Sequence, residues 1–285
     1  MHIPDSLLPP MITVIVAVFN GAKNLQRCID SVAEQTYPYR ELIVMDGGSV
    51  DATIEILKKS NREIAYWRSE PDRGISHAWN KALDYAQGQW MCFLGADDYF
   101  WRPDVLERIA PCLEGLYPPT RVAYGRVAVV TQQGDVLETV GRPWSELRSS
   151  LLQAMNISHQ GVFHHRSLFE YRGRFDESFD IVGDYELLLR EFKEVGPVFL
   201  PGVVVSGMQY GGLSTTLSFA GKALGEFRRA RRKNGVPHNT TGWAWAYAKS
   251  RVKQGLYFLL GEKWSRACVD VYRVLSGRKP RGMRF

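Results

Sequence analysis

Two adjacent acids, Asp97 and Asp98, close the apolar run W-M-C-F-L-G-A-D-D-Y-F from Trp90 to Phe100. Side by side, two carboxylates repel each other unless a cation or a set of hydrogen-bond donors compensates them. One or two carboxylates completed by substrate phosphates are how proteins hold Mg2+ or Mn2+. A solvated turn is the plain alternative. The pair has company, because Asn20, Asp46, Asp72 and Asp97 follow successive apolar segments at intervals of 26, 26 and 25 residues.

Positioning four polar groups in this way requires repeated units. Residues 11–18 (M-I-T-V-I-V-A-V) are continuous and β-branched, the pattern of a strand buried on both faces. Residues 41–45 and 90–94 read likewise, with a weaker strand at 64–67. Between them Leu25, Ile29 and Val32 fall at helical spacing within residues 22–34, and helices are predicted over 51–59 and 76–86. Pro103 is placed in the first turn of a helix ending at residue 113. Strands alternating with helices predict parallel pairing in an α/β sheet. In an open parallel sheet the carboxyl ends of the strands form the ligand-binding edge, so the four polar residues converge on one rim.

After residue 120 the pattern changes. Residues 121–130 and 135–140, joined through Q-Q-G, predict a hairpin. A helix at 144–154, the segment H-Q-G-V-F-H-H (159–165), a helix at 184–194 and a strand at 198–205 lead to the glycine loop Y-G-G-L-S at 210–214. From Lys222 onward three basic helices are predicted, broken near Gly235 and Gly261.

Composition narrows the class. A chain of 285 residues with 45% hydrophobic composition can bury a sizeable core. The four cysteines are scattered without a C-x-x-C pair, which argues against zinc and a disulfide framework and fits a reducing, cytoplasmic setting. No stretch approaches about 18 uninterrupted apolar residues. Residues 222–285 carry 16 Lys+Arg and 3 Asp+Glu (+13), whereas residues 1–221 carry 20 and 27 (−7). This split predicts an acidic working domain over 1–221 and a basic tail over 222–285 aimed at an anionic surface.

The absence of G-x-G-x-x-G after the first strand and of G-x-x-x-x-G-K-[ST] anywhere weighs against a dinucleotide-dependent dehydrogenase and a P-loop NTPase. The motifs present are V-I-V-A-V-F-N-G, L-I-V-M-D-G-G-S-V-D-A-T, D-R-G-I-S-H-A-W-N-K-A and F-L-G-A-D-D, then S-H-Q-G-V-F, F-D-E-S-F-D-I-V-G-D-Y-E-L-L-L-R and G-G-L-S. In that order and spacing the chain resembles glycosyltransferase family 2 over about residues 11–214. The resemblance implies the GT-A fold: a Rossmann-like, mostly parallel central sheet flanked by helices, with a nucleotide-sugar-binding half at 11–115 and an acceptor-side half at 116–221. The basic helical extension follows. By resemblance, Ala17, Phe19 and Asn20 line the base and ribose pocket and Asp46 bonds the nucleobase, while Asp72, Asn80 and Lys81 border the nucleotide. Asp97 and Asp98 then occupy the D-x-D region that faces the diphosphate and a divalent metal, although Gly95 stands where relatives commonly carry an acid. Asp184 becomes the general base, kept ionised by its helix N-terminus, with Gly183 where an acid usually precedes it. His159 and Gln160 fit the acceptor-side strand, and Ser214 with its glycine loop closes over the diphosphate.

These expectations amount to a metal-assisted (Mg2+ or Mn2+), inverting transfer of a sugar from a UDP-, GDP- or dTDP-sugar to an acceptor hydroxyl. Basic and aromatic residues in 222–285, among them Arg228, Arg232, Trp243 and Trp264, suit an anionic bilayer face. They suggest a peripheral enzyme on the inner face of the cytoplasmic membrane, acting on a lipid-linked saccharide or glycolipid. The alternatives are a soluble enzyme with a non-lipid acceptor, a nucleic-acid-binding protein using the tail, and a non-catalytic relative; no nucleic-acid partner is expected.

Overall fold

A computed structural model describes residues 9–116, 118–151, 155–210 and 217–236, together with 248 and 271; at 217–220 only the backbone is described. The elements run β1 (Ile12–Val18), α1 (Leu25–Ala33), β2 (Arg40–Asp46), α2 (Thr53–Lys59), β3 (Tyr66–Ser69), α3 (Ile75–Leu83), β4 (Trp90–Gly95), β5 (Tyr99–Phe100) and α4 (Val105–Leu113). They continue as β6 (Val122–Val130), β7 (Val136–Val140), α5 (Trp144–Leu151), a 3-10 turn (His159–Gly161), β8 (Val162–His165), α6 (Arg166–Arg172), α7 (Gly183–Phe192), β9 (Val198–Gln209) and α8 (Leu217–Lys233).

One sheet in the order β3-β2-β1-β4-β8-β6-β9-β5 carries the fold, with β7 paired to β6. The longest pairings, β1 with β2 and β4 and β6 with β9, are parallel; β8 joins the two halves antiparallel to both β4 and β6. Alternation along β1 builds two cores. Ile12, Val14 and Val16 face one helical layer that includes Leu25 and Ile29 of α1 and Leu106 and Ile109 of α4. Ile15 faces the other, with Ala78 and Ala82 of α3, Leu187 and Leu188 of α7 and Ala230 of α8. A sheet buried on both faces is why its strands read as unbroken apolar runs.

Several elements depart from the sequence reading. The third strand lies two residues later than expected, because Tyr66 rather than Ile64 takes the register position beside Ile43. Pro103 precedes the N-cap residue Asp104 rather than entering the helix, and its carbonyl accepts from Thr36 N at 2.9 Å. The short β5 and the helix α6 carry too few periodic residues to be read in advance. The end of the helix predicted to reach residue 154 lies outside the described residues, as do the second and third basic helices. The boundary at 221/222 falls inside α8, which packs Ala223, Phe227 and Ala230 onto the second core.

Candidate active site

Asn20, Asp46, Asp72 and Asp97 stand at or just after the ends of β1, β2, β3 and β4, and hydrogen bonds through Ser49 tie Asn20 to Asp46. After β1 the chain turns at Asn20, which has a positive φ of 50°, a conformation Asn tolerates better than most residues. Asn20 N donates to Ser49 Oγ (2.6 Å), and Asn20 Oδ1 accepts from Val50 N (3.0 Å). Ser49 Oγ in turn donates to Asp46 Oδ1, while Asp46 Oδ2 accepts from Gly48 N, Ser49 N and Ser69 Oγ. Asp46 is 1% exposed, so its carboxylate organises the loop after β2 and joins it to the end of β3. Asp51 links the same two loops by accepting from Ala22 N and Thr53 N. Asp72 stands against this loop, its Oδ2 only 2.8 Å from the point a Cβ on Gly47 would occupy. Phe19 is 65% exposed at the mouth, and Ala17 sits in register between Met45 and Gly95.

Asn80 and Lys81 of α3 take different parts. The Asn80 carboxamide is fully engaged with Phe175 N, Phe175 O and Glu177 Oε1, which fastens α3 to the segment before α7. Lys81 Nζ reaches Glu70 Oε1 at 3.1 Å.

Asp97 and Asp98 fold back over the end of β4. Both place a carboxylate oxygen 2.8 Å from where a Cβ on Gly95 would stand, so a side chain at residue 95 would occupy the space they share. Asp98 is 3% exposed and accepts from Gly95 N (3.1 Å), Gln209 N (3.2 Å) and the Gln160 side chain. Burial first, and then the neighbouring Asp97 charge, push its carboxyl up to about 7. Arg27 of α1 donates to the Asp97 carbonyl (2.9 Å) and to Gln209 Oε1, and lies 4.4 Å over the Tyr99 ring. Among the described residues no group of three or more His, Cys, Asp or Glu side chains could hold a metal. The donor set is two hard carboxylates converging at one point. Hard oxygen donors of this kind fit Mg2+ or Mn2+.

Asp184 lies in the first turn of α7, half-buried, with Oδ1 accepting from Tyr185 N at 2.7 Å. Burial outweighs the hydrogen bonds from its own N–H and from Tyr185 N and pushes the carboxyl up to about 6, so it stays ionised at neutral pH while taking up a proton more readily than a free carboxylate. Gly183 is explained by packing, since a Cβ there would lie 2.5 Å from Ser76 Oγ of α3. His159 stacks on Phe93 (5.3 Å) and approaches Trp79 (5.0 Å) and His164 (5.1 Å) inside the core. It is 7% exposed, burial lowers its pKa well below the usual value, and its Nε2 has no hydrogen-bond partner among the described residues. The structure therefore places it behind the rim as a neutral ring. Ser214 lies outside the described residues.

Glycosyl transferase family 2 is the family matched, over residues 13–173. A Mycobacterium bovis protein named PGL/p-HBAD biosynthesis glycosyltransferase is 32% identical over 73% of this chain and 80% of its own length. The chain belongs to glycosyl transferase family 2. Its fold is the GT-A fold, seen in Staphylococcus aureus TarS 1-349 in complex with UDP-GlcNAc (TM-score 0.65, 17% identity, covering 87% of this chain and 73% of that one). A Pyrobaculum calidifontis mannosyltransferase in complex with GDP-Man and Mn2+ is similar at a TM-score of 0.62 with 20% identity, covering 98% of this chain and 84% of that one.

In this family 2 glycosyltransferase, the residues that sequence reasoning missed are the supports. Ser49 and Ser69 hold Asp46, Gln209 holds Asp98, and Glu177 holds Asn80. Arg27 has no signal at all, being one polar position on an amphipathic helix. Gln209 could have been found only from the antiparallel pairing of β9 with β5, which brings its backbone N–H to the Asp97-Asp98 turn.

Proposed function

We propose that this glycosyltransferase moves a hexosyl or deoxyhexosyl group from a UDP-, GDP- or dTDP-sugar to an acceptor hydroxyl, with inversion at the anomeric carbon. The observation that carries the reading is the convergence of Asp97 and Asp98 over Gly95 at the end of β4, beside the rim of Asn20, Asp46 and Asp72. In the proposed reaction Asp184 accepts the proton of the attacking hydroxyl, with a carboxyl raised to about 6 and hence ionised yet basic at neutral pH. Asp97 and Asp98 hold the divalent ion that, when bound, neutralises charge on the departing nucleoside diphosphate. The loops after β1 and β2 orient the nucleoside, and Ser214 with its glycine loop covers the diphosphate.

The proposed acceptor is a lipid-linked saccharide or glycolipid in cell-surface polysaccharide assembly, met at the inner face of the cytoplasmic membrane. Support comes from the +13 charge of residues 222–285 and the exposed Arg228 and Arg232 of α8. Among the described residues no helix is long and apolar enough to cross a membrane. One experiment with two arms tests the proposal. UDP-, GDP- and dTDP-sugars are screened for Mn2+-dependent thermal stabilisation and hydrolysis, and the full chain is floated with anionic liposomes. One donor class should stabilise the protein and be hydrolysed only with metal, and the protein should float. Absence of any donor effect overturns the donor reading, and absence of flotation overturns the membrane reading.

A further inference from the structure

Helix α7 begins without a cap of its own. Val182, its N-cap residue, offers no side-chain acceptor, and the residues leading into it, Asp180 and Ile181, expose main-chain N–H groups as well. Such donors must find partners when buried. All three point at one side chain from a distant element: Glu226 Oε1 accepts from Asp180 N (3.2 Å), and Glu226 Oε2 accepts from Ile181 N (2.9 Å) and Val182 N (3.2 Å). Glu226 is 8% exposed, on α8, and is one of only three acids in the strongly basic segment 222–285. A buried carboxylate receiving three consecutive N–H groups at a helix entry is both a charge-assisted hydrogen-bond set and a match to the helix dipole.

The contact lies two residues before Asp184. Other side chains of α8 and the residue after it hold the same stretch: Lys222 pairs with Asp180, Arg229 donates to Ser178, and Asn234 Nδ2, just past the helix, donates to Glu186 Oε1 at 3.0 Å. From the opposite side Gly183 rests against Ser76. The backbone at Asp184 is therefore fixed by two helices, and the α8 contribution centres on one carboxylate.

We infer that Glu226 is a positioning residue for the reaction: by gathering the main-chain N–H groups of residues 180–182 it sets the entry of α7 and thus where the Asp184 carboxylate stands relative to the acceptor. This rests on the reading of Asp184 as the general base. Both Glu226 carboxylate oxygens are occupied by main-chain N–H groups, so its loss is expected to act on the chemical step and not on donor binding. Misplacement of a reacting group by about 1 Å costs on the order of 10²-fold in rate.

The test is steady-state kinetics of the full chain with its donor and acceptor, comparing Glu226→Gln, Glu226→Asp and Asp184→Asn, with folding checked by circular dichroism at the assay temperature. Glu226→Gln, which retains one acceptor oxygen, is expected to lower kcat by about 10- to 100-fold with donor KM within about twofold. Glu226→Asp, which keeps both oxygens on a shorter stem, should recover part of the loss. If both folded variants keep the parent kcat, or if donor KM rises in step with the loss, the inference is overturned. Should Glu226→Gln not fold, Glu226→Asp alone decides by the same split, since a folded variant with parent kcat overturns it. Full transfer by Asp184→Asn would instead overturn the base reading, which separates the two failures.

Discussion

Asp98 and Asp184 are both carboxyls pushed upward by burial, to about 7 and about 6, yet what holds them differs in kind. Asp98 is gripped by the sheet: main-chain N–H groups at the end of β4 and at the end of β9 point at it, and its acidic neighbour adds to the upward shift. Asp184 is met by its own N–H and that of the next residue, and the stretch it stands on is held by side chains of α3 and α8. The first site is rigid because a strand register fixes it. The second is as rigid as the charges and small residues around it. Sites of the first kind tolerate surface change and resist change at the strand ends, whereas sites of the second kind depend on residues far away in sequence.

The largest expected effect breaks the comparison at the weaker support. Asp184→Asn removes the proposed base, and transfer should fall by about 10²- to 10⁴-fold, measured as kcat at pH 8. In the parent the base must be ionised, so kcat should fall as pH falls through about 6, and this limb should be missing in the variant's residual rate. A parent profile flat from pH 5 to 8 would remove Asp184 from the chemistry.

A smaller effect, on stability and not on rate, is expected at the sheet site. The folded protein binds the Asp98 proton more tightly than the unfolded chain, whose carboxyl titrates near 4. Asp98 therefore lowers folding stability as pH rises from about 4 to about 7, with no further loss above it. Asp98→Asn removes this penalty together with one of the two proposed metal ligands. Without added divalent ion, its melting temperature at pH 8 should exceed the parent's by about 2–4 °C per kcal/mol relieved, and the gap should close near pH 4. A melting temperature below the parent's at pH 8 would mean that the hydrogen bonds from Gly95 and Gln209 outweigh the buried charge.

The smallest effect sharpens the contrast at the rim. Arg73 pairs with Glu177 at 2.6 Å but is 71% exposed. Arg73→Ala should change stability by less than about 1 kcal/mol in chemical denaturation, because solvent screens the pair. Glu177 keeps its bond to Asn80 in any case.

How much was legible follows the same division. β1, β2 and β4 and the Asp97-Asp98 pair were readable because those strands are buried on both faces, so apolar runs and the polar residues after them mark the sheet edge directly, whereas the half-exposed edge strand β3 was displaced by two residues. Gly95 and Gly183, which looked like departures from the family pattern, become intelligible only in three dimensions: one makes room for two carboxylates, the other for Ser76. The charge split suggested a boundary at 221/222, but charge reports the solvent face of α8, while Ala230 and Glu226 on its other face join it to the catalytic core. His159 was legible as part of a motif, and its burial among Phe93, Trp79 and His164 was not.

The sequence by itself determined the order of strands and helices, the rim and the family, since these rest on periodicity and on residues adjacent along the chain. Tertiary structure alone decided which groups support the acids, how far burial raises their pKa values, and that an acid in the basic segment caps the helix bearing Asp184. Those properties depend on desolvation and on contacts between residues tens of positions apart, such as Glu226 with Val182 and Gln209 with Asp98, and no local pattern encodes them.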